Sequence, residues 1–138
     1  MGTRSTILFS EKYQDSKTKK EVYKKLCCVY QQYDGYLSGV GTEIYEFLSS
    51  GELVNGLDGS PGIKFNGIGC LAAQFIAKYK DSSGGLYMNY INDCNEEYNY
   101  EIIQVLGEGL NPGEILIKYN NKYYTIEKWG KKLKKEKI

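Results

Sequence analysis

The spacing of apolar residues along this chain switches between two periods, and that switch limits the fold more than any other feature. Val40, Ile44, Phe47 and Leu48 stand at the i, i+4, i+7, i+8 positions of one helix face. Ile68, Leu71, Ala72, Phe75, Ile76 and Tyr79 repeat that pattern further on. Each stripe is led by a Gly-x-Gly, at Gly39-Val40-Gly41 and Gly67-Ile68-Gly69. Elsewhere the apolar residues alternate, as in strands with one buried face. The spacing predicts a helix over 42–49, ended by Gly51, and a second from its N-cap Asn66 to about Tyr79.

The alternating stretches predict strands at 3–10, 22–33, 86–91, 98–106, 115–119 and 123–129. In the first, Ser5, Ile7 and Phe9 face one way while Arg4, Thr6 and Leu8 face the other. Asn55-Gly56, Asp58-Gly59 and Pro61-Gly62 mark 52–65 as a turn-rich connection. Asn120-Asn121 closes a hairpin, because Asn tolerates the positive φ of a tight turn. The order β-β-α-α-β-β-β-β predicts an α+β fold, with a mostly antiparallel sheet of about six strands and two helices. At 138 residues the chain suits a single domain, read as 1–130, with 131–138 as a lysine-rich, solvated C-terminal tail.

Composition narrows function. Lys and Arg total 18 against 17 Asp and Glu, a net charge of +1, so no nucleic-acid polymer is expected as a general partner. There is no histidine, which removes the commonest general base and every Ser-His or Cys-His pair. No C-x-x-C pair exists among Cys27, Cys28, Cys70 and Cys94, so no metal is expected, and the four are read as reduced packing thiols. Cys27 and Cys28 are adjacent and point to opposite faces of a strand. The early apolar run Ile7-Leu8-Phe9 is too short for a signal peptide or membrane span, which predicts a soluble intracellular protein. Asp34, Glu43, Glu46 and the tyrosines are the groups available for catalysis. They form no nucleophile–base pair, so an enzyme is not expected and no catalytic residue is assigned.

Binding residues are better supplied. The glycine-punctuated loop 34–41 runs into a helix, whose N-terminal amides can hold an anion; the second glycine-led helix offers the same. Arg4 is the one guanidinium in a lysine-rich chain and suits a phosphate clamp. Tyr33 and Tyr36 flank Asp34-Gly35. Among the 14 tyrosines, Tyr87 is a candidate base-stacking ring, and Asn92 an amide that can read a base edge.

Gly2-Thr3-Arg4-Ser5, followed by Asp34-Gly35-Tyr36-Leu37-Ser38-Gly39-Val40-Gly41, resembles the small phage proteins of the Thoeris anti-defence sponge family, first type. In those relatives a Trp precedes the Asp and a Pro follows the Tyr; here Tyr33 and Leu37 stand there. The resemblance implies a phage protein that does no chemistry and needs no cofactor. It would sequester glycocyclic ADP-ribose (gcADPR), the signal of a TIR-domain defence enzyme, in the cytoplasm of an infected or lysogenic bacterial host. It also implies homo-oligomers, from dimer to hexamer, and in some members a separate affinity for cyclic trinucleotides of the CBASS pathway. Carried over by motif, Arg4, Asp34, Gly35, Tyr36, Ser38, Gly39 and Gly41 are the expected ligand contacts. Two other functions remain open from the residues: a small phosphodiesterase-like nucleotide-processing enzyme with Asp34 as base, and a protein- or nucleic-acid-binding module using the lysine run.

Overall fold

A computed structural model describes residues 3–109 and 111–136. Met1 and Gly2 at the start of the motif, Leu110 in the 107–113 turn, and Lys137 and Ile138 of the lysine run lie outside the described residues. The elements are β1 (Ser5–Gln14), β2 (Glu21–Gln31), α1 (Thr42–Ser49), β3 (Gly51–Val54), β4 (Ile63–Asn66), α2 (Gly67–Tyr79), β5 (Leu86–Asn89), β6 (Tyr98–Val105), β7 (Glu114–Tyr119), β8 (Lys122–Tyr124) and α3 (Ile126–Glu136). Six strands form one sheet in the order β5-β2-β1-β6-β7-β8. Every neighbouring pair is antiparallel except β1 and β6, which run parallel at the centre. The α+β class and the mostly antiparallel sheet therefore stand.

Alternation places the core. Ile7 pairs with Val29 and Tyr100, and Phe9 with Ile102, all turned toward the helices and fully or almost fully buried. Both helical stripes meet them. Val40, Ile44, Phe47, Leu48, Leu71, Ala72 and Phe75 are buried. Phe75 lies 5.7 Å from Phe9 and edge-on to Phe47 at 5.2 Å. Burying an apolar side chain of this size contributes roughly 1.5–3 kcal/mol, so these rings hold the helices to the sheet. The Asn120-Asn121 turn has both residues at positive φ, 51° and 61°, as a two-residue hairpin requires.

Five local expectations are corrected. The stretch 123–129 is not one strand and 131–136 is not a free tail: β8 stops at Tyr124 and α3 follows. Thr125 caps that helix, its hydroxyl accepting the Lys128 N–H at 3.2 Å. Trp129 and Leu133 then sink into the core, at 0% and 5% exposure. Gly51 does not end α1 in a left-handed cap; it opens β3, where an added Cβ would lie 2.6 Å from the Phe65 ring. The 52–65 connection is bounded by β3 and β4, paired in parallel as a separate two-stranded sheet. Asn66 precedes α2 without capping it, because its side-chain oxygen accepts the Gly56 N–H instead.

The reduced-thiol reading is corrected as well. Cys28, at the middle of β2, pairs in register with Leu8 on the face turned away from the helices. The segment after β5 folds back across that face and brings Cys94 into a disulfide with Cys28. Cys27 and Cys70 are free thiols.

The buried phenols give the fold an alkaline limit. Tyr100 is 2% exposed, and burial, followed by the neighbouring Tyr119 and Tyr98 hydroxyls, drives its pKa far above 10. Burial, with the charges of Glu43 and Glu46, pushes Tyr79 up to about 12. The native state keeps these protons where the unfolded chain loses them. Their stabilising contribution is therefore complete below pH 10 and is lost as pH rises beyond it. Chemical denaturation at pH 8 and pH 11 should show stability falling by about 1.4 kcal/mol per pH unit from Tyr100 alone above pH 10. In Tyr100→Phe that component should vanish.

Candidate functional site

The two motif segments, distant in sequence, form one structural unit. The Gly35 N–H donates to the Thr3 carbonyl at 2.9 Å. Gly35 is packed so closely against the start of β1 that a Cβ there would lie 2.7 Å from Ser5 Cβ. On the other side, the Tyr98 N–H donates to the Arg4 carbonyl at 3.3 Å. Asp34 takes a left-handed conformation, φ 57°, which turns the chain into the loop.

Within the loop the backbone satisfies itself. Asp34 O accepts the Val40 N–H at 2.8 Å, and Tyr36 O accepts those of Gly39 and Gly41 at 2.9 and 3.4 Å. Residues Leu37–Gly41 thus form a π-helical turn running straight into α1. Two buried aromatic donors pin the unit from below: Tyr100 Oη donates to Gly35 O at 2.7 Å, and Trp129 Nε1 to Gly41 O at 2.9 Å. The amides of Gly39, Val40 and Gly41, which sequence reading offered to a phosphate, are engaged in the turn itself. At the start of α2 the Ile68 N–H is taken by Gln104 Oε1 at 2.8 Å, and Gln104 Nε2 is held by Pro112 O. In the first start three amides, and in the second that of Ile68, are thus taken within the fold.

Gly39→Ala tests this directly. An added Cβ would sit 2.0 Å from Asp34 O, against backbone that cannot move aside without breaking the turn. The substitution is expected to lower stability by about 3 kcal/mol, read from the urea midpoint, whereas Ser38→Ala on the exposed side should change it by less than about 0.5 kcal/mol.

What the loop presents outward is Tyr36 and Ser38. With Tyr98, Tyr119, Asn120 and Lys132 they line a cleft of about 430 Å³, within the range of small-ligand sites. The Tyr98 and Tyr119 rings are nearly parallel, 7° apart in plane and 6.5 Å between centroids. Tyr36 Oη donates to Asp34 Oδ1 at 2.9 Å, and this bond to a carboxylate raises the phenol's pKa. The cleft therefore combines flat rings, a hydroxyl, an amide and an ammonium group.

Sequence reasoning reached Tyr36 and Ser38 but missed Tyr98, Tyr119, Asn120 and Lys132. Lys132 was legible in principle, since Trp129, Lys132 and Leu133 have helical spacing, but the lysine run masked it. Arg4 is exposed beside the unit, linked to Tyr98 through its carbonyl. Tyr87 and Asn92 are not brought to the cleft. Tyr87 lies on the edge strand β5, opposite Tyr30 and thus on the face turned from the helices, with its ring 6.0 Å from Tyr30 and under Lys80 at 5.1 Å. Asn92 is exposed in the following turn.

Glu43 is the acid nearest to unusual chemistry: burial raises its pKa, while a hydrogen bond from Gln31 at 3.4 Å opposes the shift. It does not line the cleft. Among the described residues no cluster of His, Cys, Asp and Glu is placed to hold a metal ion, and no helix is long and apolar enough to cross a membrane. Compared with family models, curated proteins and solved structures, the chain matches none.

Proposed function

We propose that the protein is a phage anti-defence sponge, which binds gcADPR whole and holds it from the host's Thoeris effector. One observation carries the reading: the two segments that resemble the sponge family pack into one unit, and that unit presents Tyr36 and Ser38 to a cleft containing Tyr98, Tyr119 and Lys132. The Tyr36 ring and the outer face of Tyr98, backed by the buried Tyr119, can stack a purine for about 1–3 kcal/mol each. An ammonium group suits a diphosphate, and Ser38 and Asn120 can bond ribose hydroxyls or a base edge.

A sponge acts stoichiometrically, so it needs roughly nanomolar affinity, about −12 kcal/mol. An open cleft on one chain leaves a small dianion partly solvated. A second copy closing over it is therefore part of the proposal, as is action in the cytoplasm of the infected or lysogenic host. The competing enzymatic reading places Asp34 as a base, but its carboxylate is engaged by the Tyr36 hydroxyl.

Capture and release decides between them. The protein is incubated with excess gcADPR, filtered, then heat-denatured. Intact gcADPR should be retained in proportion to protein and freed on heating. Turnover at substoichiometric protein would make it an enzyme, and failure to retain the ligand would end the sponge reading.

A further inference from the structure

The sheet face turned from the helices carries a second, polar pocket. Leu8 of β1, Glu101 of β6 and Lys118 of β7 stand side by side across that face. The strap that joins β5 to β6 walls the pocket with Cys94 and Glu97, and the β7–β8 turn closes another side with Asn120 and Asn121. Its volume is about 320 Å³, room for a small ligand. The strap is fixed at two points. Cys94 is bonded to Cys28, and Asn99 both accepts the Glu96 N–H and donates to the Glu96 carbonyl, each at 2.8 Å.

The charges in this pocket are opposite and unjoined. Glu101 is only 9% exposed. Ser10 Oγ donates to its Oε2 at 2.5 Å, and the Tyr23 hydroxyl donates to the same oxygen. Burial and that carboxylate raise the Tyr23 pKa, so the phenol keeps its proton and stays a donor. Both donors take Oε2, which leaves Oε1 to the pocket. Lys118 stands opposite Glu101 in register, where side chains start only about 5 Å apart. Yet no ion pair among the described residues includes either of them. The Lys118 ammonium group stands 5.6 Å from the Tyr123 ring centroid instead, and Lys12 is turned to Glu21 at 4.0 Å. A buried carboxylate without a cation is costly, so this arrangement gains from a ligand that supplies one.

We propose that this pocket binds a free α-amino acid, its ammonium group on Glu101 Oε1 and its carboxylate on Lys118. The two charges of an α-amino acid are separated by a single carbon, so one small molecule bridges groups on neighbouring strands. Each contact is a charge-assisted hydrogen bond, the stronger class. A simple amine would leave Lys118 facing another cation. A simple carboxylate or phosphate would face Glu101 and Glu97. Leu8 gives the carbon skeleton an apolar floor, and Asn121 offers an amide to a polar side chain. Tyr119 and Asn120 border both this pocket and the Tyr36 cleft, whereas Glu101 and Lys118 line this pocket alone.

The test follows backbone amide shifts of the isotope-labelled protein by NMR during titration with each of the protein amino acids. The tightest binder is then titrated as its carboxamide, which lacks the carboxylate, and as its N-acetyl derivative, which lacks the ammonium group. Variants are Glu101→Gln and Lys118→Gln. Lys118 is only half-buried, so its variant keeps the test decisive if loss of the Ser10 and Tyr23 contacts unfolds Glu101→Gln. A charge-matched control carries Lys17→Gln, exposed in the β1–β2 turn.

At least one amino acid should bind with a Kd of about 1 mM or tighter, shifting the amides of Glu101 and Lys118. Both derivatives should bind at least about tenfold more weakly, and both pocket variants should lose at least about tenfold. The control should bind as wild type. The proposal is overturned if no amino acid binds, if the carboxamide or the N-acetyl derivative binds as well as its parent, or if Lys118→Gln binds as wild type. Lys118 does not line the Tyr36 cleft, so unchanged gcADPR retention by Lys118→Gln keeps this outcome separate from that of the sponge.

Discussion

Trp129→Ala is expected to destabilise the protein by about 5 kcal/mol, enough to bring a domain of ordinary stability close to its unfolding threshold. Trp129 is fully buried and contacts Tyr100, Tyr119 and Tyr124 edge-on, with ring centroids 5.3–5.9 Å away. Truncating a buried large aromatic removes about 3–5 kcal/mol through lost burial and the cavity left behind. Loss of the indole N–H also leaves the buried Gly41 carbonyl without its donor, adding about 1–3 kcal/mol. Trp129→Phe keeps part of the packing and loses only the donor and the outer ring, so it should fall between. Urea denaturation gives the magnitude. The same variant should also release α3, and with it Lys132, so that limited proteolysis cuts near the lysine run before the sheet opens. If α3 stayed protected and stability fell by less than about 1 kcal/mol, the helix would not be anchored through Trp129.

Reduction of Cys28–Cys94 is the second large effect. The bond closes a separation of 66 residues, and the chain-entropy estimate for such a loop is ~4 kcal/mol. For a domain of this length that corresponds to a drop of roughly 10–20 °C in Tm. Thiol titration of the unfolded, non-reduced protein should find two free groups, Cys27 and Cys70. Four free groups, or a Tm insensitive to reductant, would contradict the pairing. The bond lies on the face turned from the helices, so the Tyr36 unit should survive its reduction, and the proposed ligand capture should be unchanged by reductant.

Much of the fold was legible because period and burial are linked locally. Both helical stripes, five of the six strands of the main sheet and the Asn120-Asn121 turn follow from side-chain spacing and turn chemistry. What escaped was decided by contacts distant in sequence. Ile126 and Trp129 read as the end of a strand, and Leu133 as part of a charged tail, until the core is there to receive them as one helix face. Cys28 and Cys94 read as packing thiols because nothing local says that the segment after β5 folds over β2. The parallel pairing of β3 with β4 depends on Phe65 packing against Gly51, which no turn signal in 52–65 encodes.

The site divides in the same way. The 34–41 motif was visible as a glycine-punctuated loop, but its glycines answer to the backbone. Gly35 lets β1 approach, and Gly39 lets Asp34 O reach Val40. The residues left to face a ligand are those between the glycines, Tyr36 and Ser38, joined by side chains from β6, β7 and α3. Tyr87 was chosen by chemistry alone, and the sheet order sends it to the opposite edge.

The most direct measurement of the central claim is calorimetric titration of gcADPR into wild type, Tyr36→Ala, Lys132→Ala and Tyr87→Ala. The account expects wild type to bind tightly at a fixed ligand-to-chain ratio. Tyr36→Ala and Lys132→Ala should each weaken binding at least about tenfold, the loss of one stacking or charged contact, while Tyr87→Ala stays near wild type. No heat of binding in wild type, or a loss in Tyr87→Ala equal to that in Tyr36→Ala, would contradict it.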